Sequence, residues 1–227
     1  MSTDEKLNPL RLALRRGGAL SDRDFDRLYP PHVRELSRAF WTPVRVAQRA
    51  SELLDVSKGK RTLDVGAGVG KFCIVAAAAT GAEVTGVEHR EDLVRIARVT
   101  ADRVEVPARF VHGGLSAVDW AEFEAFYFYN PFFENVHRDN HIDERVELSA
   151  QRFEADLGAA FEALARARVG TRVVTYHGLG APLPPTYRLV ANESAGSDML
   201  KLWVQTDAPC DESAHADPDA SAVFERQ

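Results

Sequence analysis

The chain has 227 residues, of which 45% are hydrophobic, 27% charged and 9% aromatic, and its net charge is −6. That composition fits one globular domain with extra pieces at its ends, large enough to bury a core without staples. It holds no apolar run of bilayer-crossing length, and its acidic balance speaks against a broad nucleic-acid footprint. Its cysteines, Cys73 in an alanine-rich run and Cys210 in a polar tail, form neither a disulfide framework nor a metal cluster. The opening residues lack a secretory pattern, so a soluble, cytoplasmic protein is expected. Charge is uneven, however. Residues 1–60 carry 12 Lys and Arg against 8 Asp and Glu, and residues 207–227 carry one Arg against six acids.

In chain order, residues 1–20 are polar and broken by Gly17–Gly18, a mobile stretch or a short helix. Ser21 then stands as a helix N-cap, and Pro30–Pro31 as a stop. "WTPVRVAQRASELLDV" predicts a helix capped by Thr42, with Pro43 at its first position and Val46, Ala50, Leu53 and Leu54 on its apolar face. Strands are predicted at 61–65, 82–88, 108–113, 123–130 and 171–177. Helices separate them: "KFCIVAAAATG" ending at Gly81, "REDLVRIARVTADRV" with Leu93, Ile96, Ala97 and Val104 inward, and a long helix with Phe153, Leu157, Phe161 and Leu164 on one face. Segments 186–193 and 199–207 read as a closing hairpin, and the acidic residues beyond as disordered. Alternating strands and helices imply an α/β fold, a doubly wound, mostly parallel sheet with a C-terminal antiparallel hairpin. The expected division is a cap at 1–41, a main domain at 42–207 and a flexible acidic tail at 208–227.

"LDVGAGVGKF" (63–72) links a strand to a helix. A triphosphate-binding loop needs a first glycine where Val65 stands and a Ser or Thr where Phe72 stands. A dinucleotide fingerprint needs a third glycine where Lys71 stands. What is present is Asp64-x-Gly66-x-Gly68-x-Gly70, and Glu88 closes the next strand 22 residues after Gly66. This pattern resembles the first two motifs of class I S-adenosylmethionine-dependent methyltransferases, which are Rossmann-like. The resemblance implies S-adenosylmethionine as cofactor. Its site would comprise Thr42, Asp64, Gly66, Ala67, Gly68, Gly70, Phe72, Glu88, His89, Leu115, Ser116 and Asn130. Asp64 would face the cofactor's amino end and Glu88 its ribose hydroxyls. The family's acid after the third strand is missing here. Gly113–Gly114 takes its place, leaving Ser116, Asp119 or the Leu115 backbone for the adenine.

The fourth strand ends "FYFYNPFFENV". Its Asn130–Pro131–Phe132–Phe133 resembles the Asn-Pro-Pro-aromatic element of methyltransferases that modify amino groups. Phe132 departs from that pattern at the second proline. These four residues are expected to present the acceptor, and transfer is expected to be a direct in-line displacement onto an amino nitrogen of a protein or small molecule. Nucleic acid is the less expected acceptor, since no target-recognition domain is evident. The "TP" segment with Trp41 and Thr42 resembles one that closes over the methionine end, and Tyr29 is a candidate part of an N-terminal cap. His177 is a candidate base. His137 and His141 have no partners at ligand spacing, so no metal is expected. "GLGAPLPP" (178–185) is either a substrate lid or a rigid connector. Two competing readings are an NAD-binding oxidoreductase and a cofactor-fold scaffold without catalysis.

Overall fold

The computed structural model describes residues 12–14, 20–136 and 141–210. The expectations for most of residues 1–20, for His137 and for the tail beyond Cys210 lie outside the described residues. Short helices α1 (Asp22–Phe25), α2 (Pro31–Glu35) and α3 (Ser37–Phe40) lead into α4 (Val44–Leu53). Then follow β1 (Thr62–Val65), α5 (Lys71–Thr80), β2 (Val84–Glu88), α6 (Glu91–Val104), β3 (Ala108–His112) and β4 (Ala125–Tyr129). The chain continues through α7 (Ala150–Ala165), β5 (Arg172–Tyr176), β6 (Tyr187–Ala195) and β7 (Asp198–Gln205).

The seven strands form one sheet in the order β3-β2-β1-β4-β5-β7-β6. Neighbours from β3 to β5 pair in parallel, and β7 pairs antiparallel with both β5 and β6. The closing hairpin therefore adds a single reversed strand, β7, because β6 on its far side points the same way as β5. β1 and β4 are adjacent central strands, so their loops leave the same edge of the sheet side by side.

Alternation along the strands sends side chains to two cores. Leu63, Val65, Phe126, Phe128 and Val173 pack on one face with Ala160 and Leu164 of α7. Ala125, Tyr127, Val174 and Tyr176 pack on the other with α4, α5 and α6. α5 is buried from Lys71 to Ala78. Its small residues let it lie between the sheet and two helices, and Gly81 ends it in the left-handed conformation.

Several local expectations shift. Ser21 does cap α1, accepting from the Asp24 N–H, but Pro31 opens a helix as well as closing one. Thr42 does not cap α4. The cap position falls to Pro43, and the Val44 N–H is taken by the Asp22 carboxylate at 2.8 Å. On α7, Phe161 is exposed, and the fully buried stripe narrows to Ala160 and Leu164. The β5–β6 connector contains no helix and buries Leu179 and Leu183, which do the work a helix would have done on that face.

A buried cation on α5 fastens the N-terminal helices to the body of the fold, alongside the Arg103 bond to the Leu28 carbonyl. The Lys71 ammonium, 2% exposed, lies 2.7 Å from both Asp22 and Asp26 and donates to Ser37 at 3.3 Å. Removing one member of a buried ion cluster strands the others. Lys71→Met is therefore expected to lower the unfolding free energy by about 3 kcal/mol. Urea denaturation followed by circular dichroism measures the loss, with protease cleavage first appearing within residues 20–41.

Candidate active site

The ends of β1, β2, β4 and β5 surround a cavity of about 700 Å³, a size that takes a small molecule. Its wall includes Trp41, Gly66, Gly68, Glu88, His89, Asn130, Pro131, Phe133 and His177.

The loop after β1 is held from below. The N–H groups of Gly66 and Ala67 both donate to the Val87 carbonyl, and the Gly68 N–H donates to the Glu88 carboxylate at 2.9 Å. Glu88 also accepts the Arg90 N–H at 2.9 Å. Burial pushes its carboxyl above the usual range, while the Arg90 and Gly68 N–H groups pull the other way. The Glu88 side chain also lines the cavity.

Two glycines of the loop meet close neighbours. Gly68 is left-handed, and a Cβ there would stand 2.7 Å from the Trp41 ring. Gly66, also left-handed, would place its Cβ 2.7 Å from Pro131. So Trp41, whose indole N–H donates to the Val33 carbonyl, closes one side of the loop, and the end of β4 closes the other. Tyr29 adds a hydroxyl bond to the Val69 carbonyl.

Asp64 lies behind the wall, 4% exposed, with the Cys73 thiol 3.4 Å from its carboxylate. Burial pushes its carboxyl up to about 7, the thiol opposes this, and the nearby Glu88 charge adds to it. Phe72 stacks on Tyr127 at 4.1 Å, and the Tyr127 hydroxyl pairs with Thr42. Thr42, Ala67, Gly70 and Phe72 therefore support the loop from behind. Leu115 and Ser116 form a 3-10 turn off the cavity, where the Leu115 carbonyl accepts the Trp120 indole N–H. The expected adenine contacts are not brought to the wall.

At the end of β4, Asn130 takes φ +42°, a left-handed conformation that asparagine tolerates. This turns the chain so that Asn130, Pro131 and Phe133 line the cavity while Phe132, 4% exposed, enters the core with Phe128 and Val87. Of the two phenylalanines, Phe133 is the one that lines the cavity. Arg90 then secures the segment that follows. Its guanidinium pairs with Glu134 at 2.8 Å and Asp143 at 3.2 Å, and Glu134 also accepts the Ile142 N–H. Burial and the adjacent Arg90 charge lower His89 to about 4, so it is neutral near pH 7.

His177 sits at the end of β5, φ +59°, beside Tyr129. Its Nδ1 lies 2.8 Å from Asp198 and its Nε2 3.1 Å from the Ser197 hydroxyl. Sequence reasoning found the histidine and missed its partners. The hairpin turn containing them was legible, but a turn reveals nothing of what it folds against. Arg90, Glu134 and Asp143 were missed for the same reason. Among the described residues no three His, Cys, Asp or Glu side chains are grouped to hold a metal, and no helix is long and apolar enough to cross a membrane.

The cavity's donor set suits a cationic nucleoside without phosphates. Its wall combines glycine backbone with the buried Glu88 carboxylate, while the loop's own Lys71 is turned to Asp22 and Asp26 instead of the cavity.

Residues 62–148 match the family described as a methyltransferase domain. The chain is 32% identical over 120 residues to the 23S rRNA (uracil(1939)-C(5))-methyltransferase RlmD of Nitrosococcus oceani, a stretch covering 50% of this chain and 26% of that protein. It thus spans about a quarter of that relative's length. Among solved structures it resembles an RNA methyltransferase from Salinibacter ruber in complex with S-adenosyl-L-homocysteine. The TM-score is 0.54 and the identity 25%, covering 75% of this chain and 96% of that one. TrmN from Thermus thermophilus shares the fold, with a TM-score of 0.53 at 20% identity over 75% of this chain and 53% of its own. Residues 62–148 thus match a methyltransferase domain, and with β7 reversed between β5 and β6 and the glycine loop clamped to Glu88 the described chain has the Rossmann-like methyltransferase fold.

Proposed function

We propose that this chain transfers a methyl group from S-adenosylmethionine directly to an amino nitrogen. The observation that carries the reading is one shared wall: Gly66, Gly68 and Glu88 face the same cavity as Asn130, Pro131 and Phe133. The first set suits a nucleoside ribose. The second suits a flat acceptor, with a polar amide beside an aromatic face. When bound, the cofactor supplies an electrophilic methyl group on a cationic sulfur. The protein's part is positioning and exclusion of water. Pro131 on Gly66 keeps the acceptor element against the glycine loop, and the Arg90 cluster holds the covering segment in place. In this reading Thr42, Asp64, Ala67, Gly70 and Phe72 act through the loop they support, and residues 20–41 form the cap of the domain.

A second reading concerns the acceptor. Two relatives carry the names of RNA methyltransferases, which favours an amino nitrogen of an RNA base over one on a protein or small metabolite. This revises the expectation drawn from net charge. That charge is a sum over the whole chain, whereas binding depends on the face around the cavity. The Nitrosococcus relative is named for a carbon acceptor, and the present chain covers only a quarter of it.

Glu88→Ala is expected to weaken binding of S-adenosylmethionine and S-adenosylhomocysteine at least tenfold, roughly the worth of a charge-assisted hydrogen bond. Titration calorimetry reads this, with NAD as control. Tight binding of NAD and none of the adenosyl ligands sinks the reading. Asn130→Ala and Phe133→Ala should leave S-adenosylhomocysteine affinity within about threefold while methyl transfer falls by ~10²-fold or more. The readout is tritiated methyl incorporation into total RNA, protein and small-molecule fractions of a lysate, which also identifies the acceptor class.

Asp64 gives a pH test. Its folded carboxyl, near 7, is above the unfolded value of about 4, so protonation favours the fold. Its contribution is complete below about pH 4 and fades as pH rises through 7. Asp64→Asn should therefore raise the melting temperature of the ligand-free protein at pH 8 and leave it nearly unchanged at pH 4. An equal shift at both pH values would show that the carboxyl does not titrate there.

A further inference from the structure

We infer that His177, oriented by Asp198, is the proton acceptor for the amino group that receives the methyl. This rests on the function proposed above and adds to it the fate of the proton.

Asn130 and His177 occupy equivalent positions. Tyr129 pairs with Tyr176 in the β4–β5 register, so the next residue of each strand emerges at the same edge, about 5 Å apart. Both turn left-handed, at φ +42° and +59°, and both line the cavity. Asparagine and histidine are among the residues that enter this region most readily.

The hydrogen bonds around His177 have one consistent direction. Asp198 is held by the Met199 N–H at 2.7 Å and lies 2.8 Å from the His177 Nδ1. A carboxylate there accepts, so Nδ1 carries the hydrogen and Nε2 presents its lone pair. That lone pair meets the Ser197 hydroxyl at 3.1 Å. The Ser197 oxygen lies 3.1 Å from the Tyr176 hydroxyl, which in turn accepts the Ser197 N–H at 3.2 Å. Tyr176 and Tyr129 flank the imidazole as rings, and Asp198 is the charge that faces it. Burial lowers the imidazole's proton affinity and Asp198 raises it, with burial the larger influence, so the ring is neutral near pH 7. A neutral imidazole with a fixed lone pair, in the wall that holds Asn130, is a base at rest with a serine as its stand-in partner.

The step balances without a further reactant. The amino nitrogen's lone pair forms the N–CH₃ bond as the S–CH₃ bond breaks, and that electron pair stays on sulfur. The nitrogen becomes cationic. One of its hydrogens passes to the His177 Nε2 in place of the serine hydroxyl, and the Asp198 carboxylate balances the imidazolium until solvent takes the proton.

The test needs no knowledge of the acceptor. Sinefungin matches S-adenosylhomocysteine but carries a primary ammonium group on carbon where the methylated sulfonium would be. In the full-length chain, His177→Asn, which keeps a residue tolerant of the left-handed backbone, should weaken sinefungin about tenfold more than S-adenosylhomocysteine. Asp198→Asn should do the same by a smaller factor. Nitrogen-15 spectra of the wild type should show the Nδ1–H tautomer at His177. An equal loss for both ligands makes His177 a wall residue and overturns the proposal, as does no loss for either. Labelling of Ser197 by a fluorophosphonate would overturn it too, making serine the nucleophile of a triad. If the wild type binds neither adenosyl ligand, the cofactor reading fails as well, a result distinct from selective loss in the variants.

Discussion

The Lys71 ammonium is the point where two parts of the chain depend on each other. It stands in the first turn of α5, where a helix N-terminus ordinarily disfavours a cation. Its two aspartates come from the α1 region, 45 and 49 positions earlier in the chain, and one of them, Asp22, also takes the first N–H of α4. One buried cation thus fixes the start of α4, the glycine loop and the segment carrying Trp41. It works with the Trp41 indole bond to Val33 and the Thr42–Tyr127 pair to hold Trp41 over Gly68. The same lysine breaks the dinucleotide fingerprint. A glycine there would bring a pyrophosphate close, whereas the lysine points away from the cavity and builds its roof.

The opposite side of the cavity is set by backbone conformation. Parallel strands β4 and β5 end level, and each continues into a left-handed residue. The turn at Asn130 separates Phe132 from Phe133, sending one into the core and the other to the wall. An apolar "FF" pair thereby becomes one core aromatic and one half-buried aromatic that lines the cavity. The β5 end gains its partners from the hairpin between β6 and β7, which exists because β7 inserts reversed beside β5. The reversed strand is thus the reason that Asp198 and Ser197 reach His177.

The parts of this arrangement legible in the sequence are local ones. A strand running into Asp64-x-Gly66-x-Gly68-x-Gly70 and an acid closing the next strand are close in the chain, and the parallel pairing of β1 with β2 makes their juxtaposition automatic. Asn130 was legible because β4 neighbours β1 in any such sheet. What failed to show were contacts whose partners lie far apart. Thr42 has the residue type and spacing of an N-cap, yet Tyr127, 85 positions away, takes its hydroxyl while Asp22 takes the helix N–H. Leu115 and Ser116 follow a strand end, and their turn lies off the cavity wall with the Leu115 carbonyl taken by the Trp120 indole N–H. Lys71 read only as a missing glycine.

The buried carboxylates carry the remaining argument. The Glu88 charge raises the proton affinity of Asp64, and both carboxyls are desolvated, their bonded donors being backbone N–H groups and a thiol. A fold shaped only for stability would replace such a pair with apolar residues, since burying unpaired charge is costly. Their retention beneath a glycine loop is intelligible if a cationic ligand with hydroxyl donors completes them. The empty protein then holds its polar groups already oriented, and binding need not reorganise them. On this view the buried charge of the cavity is concentrated on the cofactor side. On the acceptor side the groups that end β4 and β5, Asn130 and a neutral His177, carry no charge themselves, as suits an acceptor whose lone pair must remain unprotonated until the methyl group arrives.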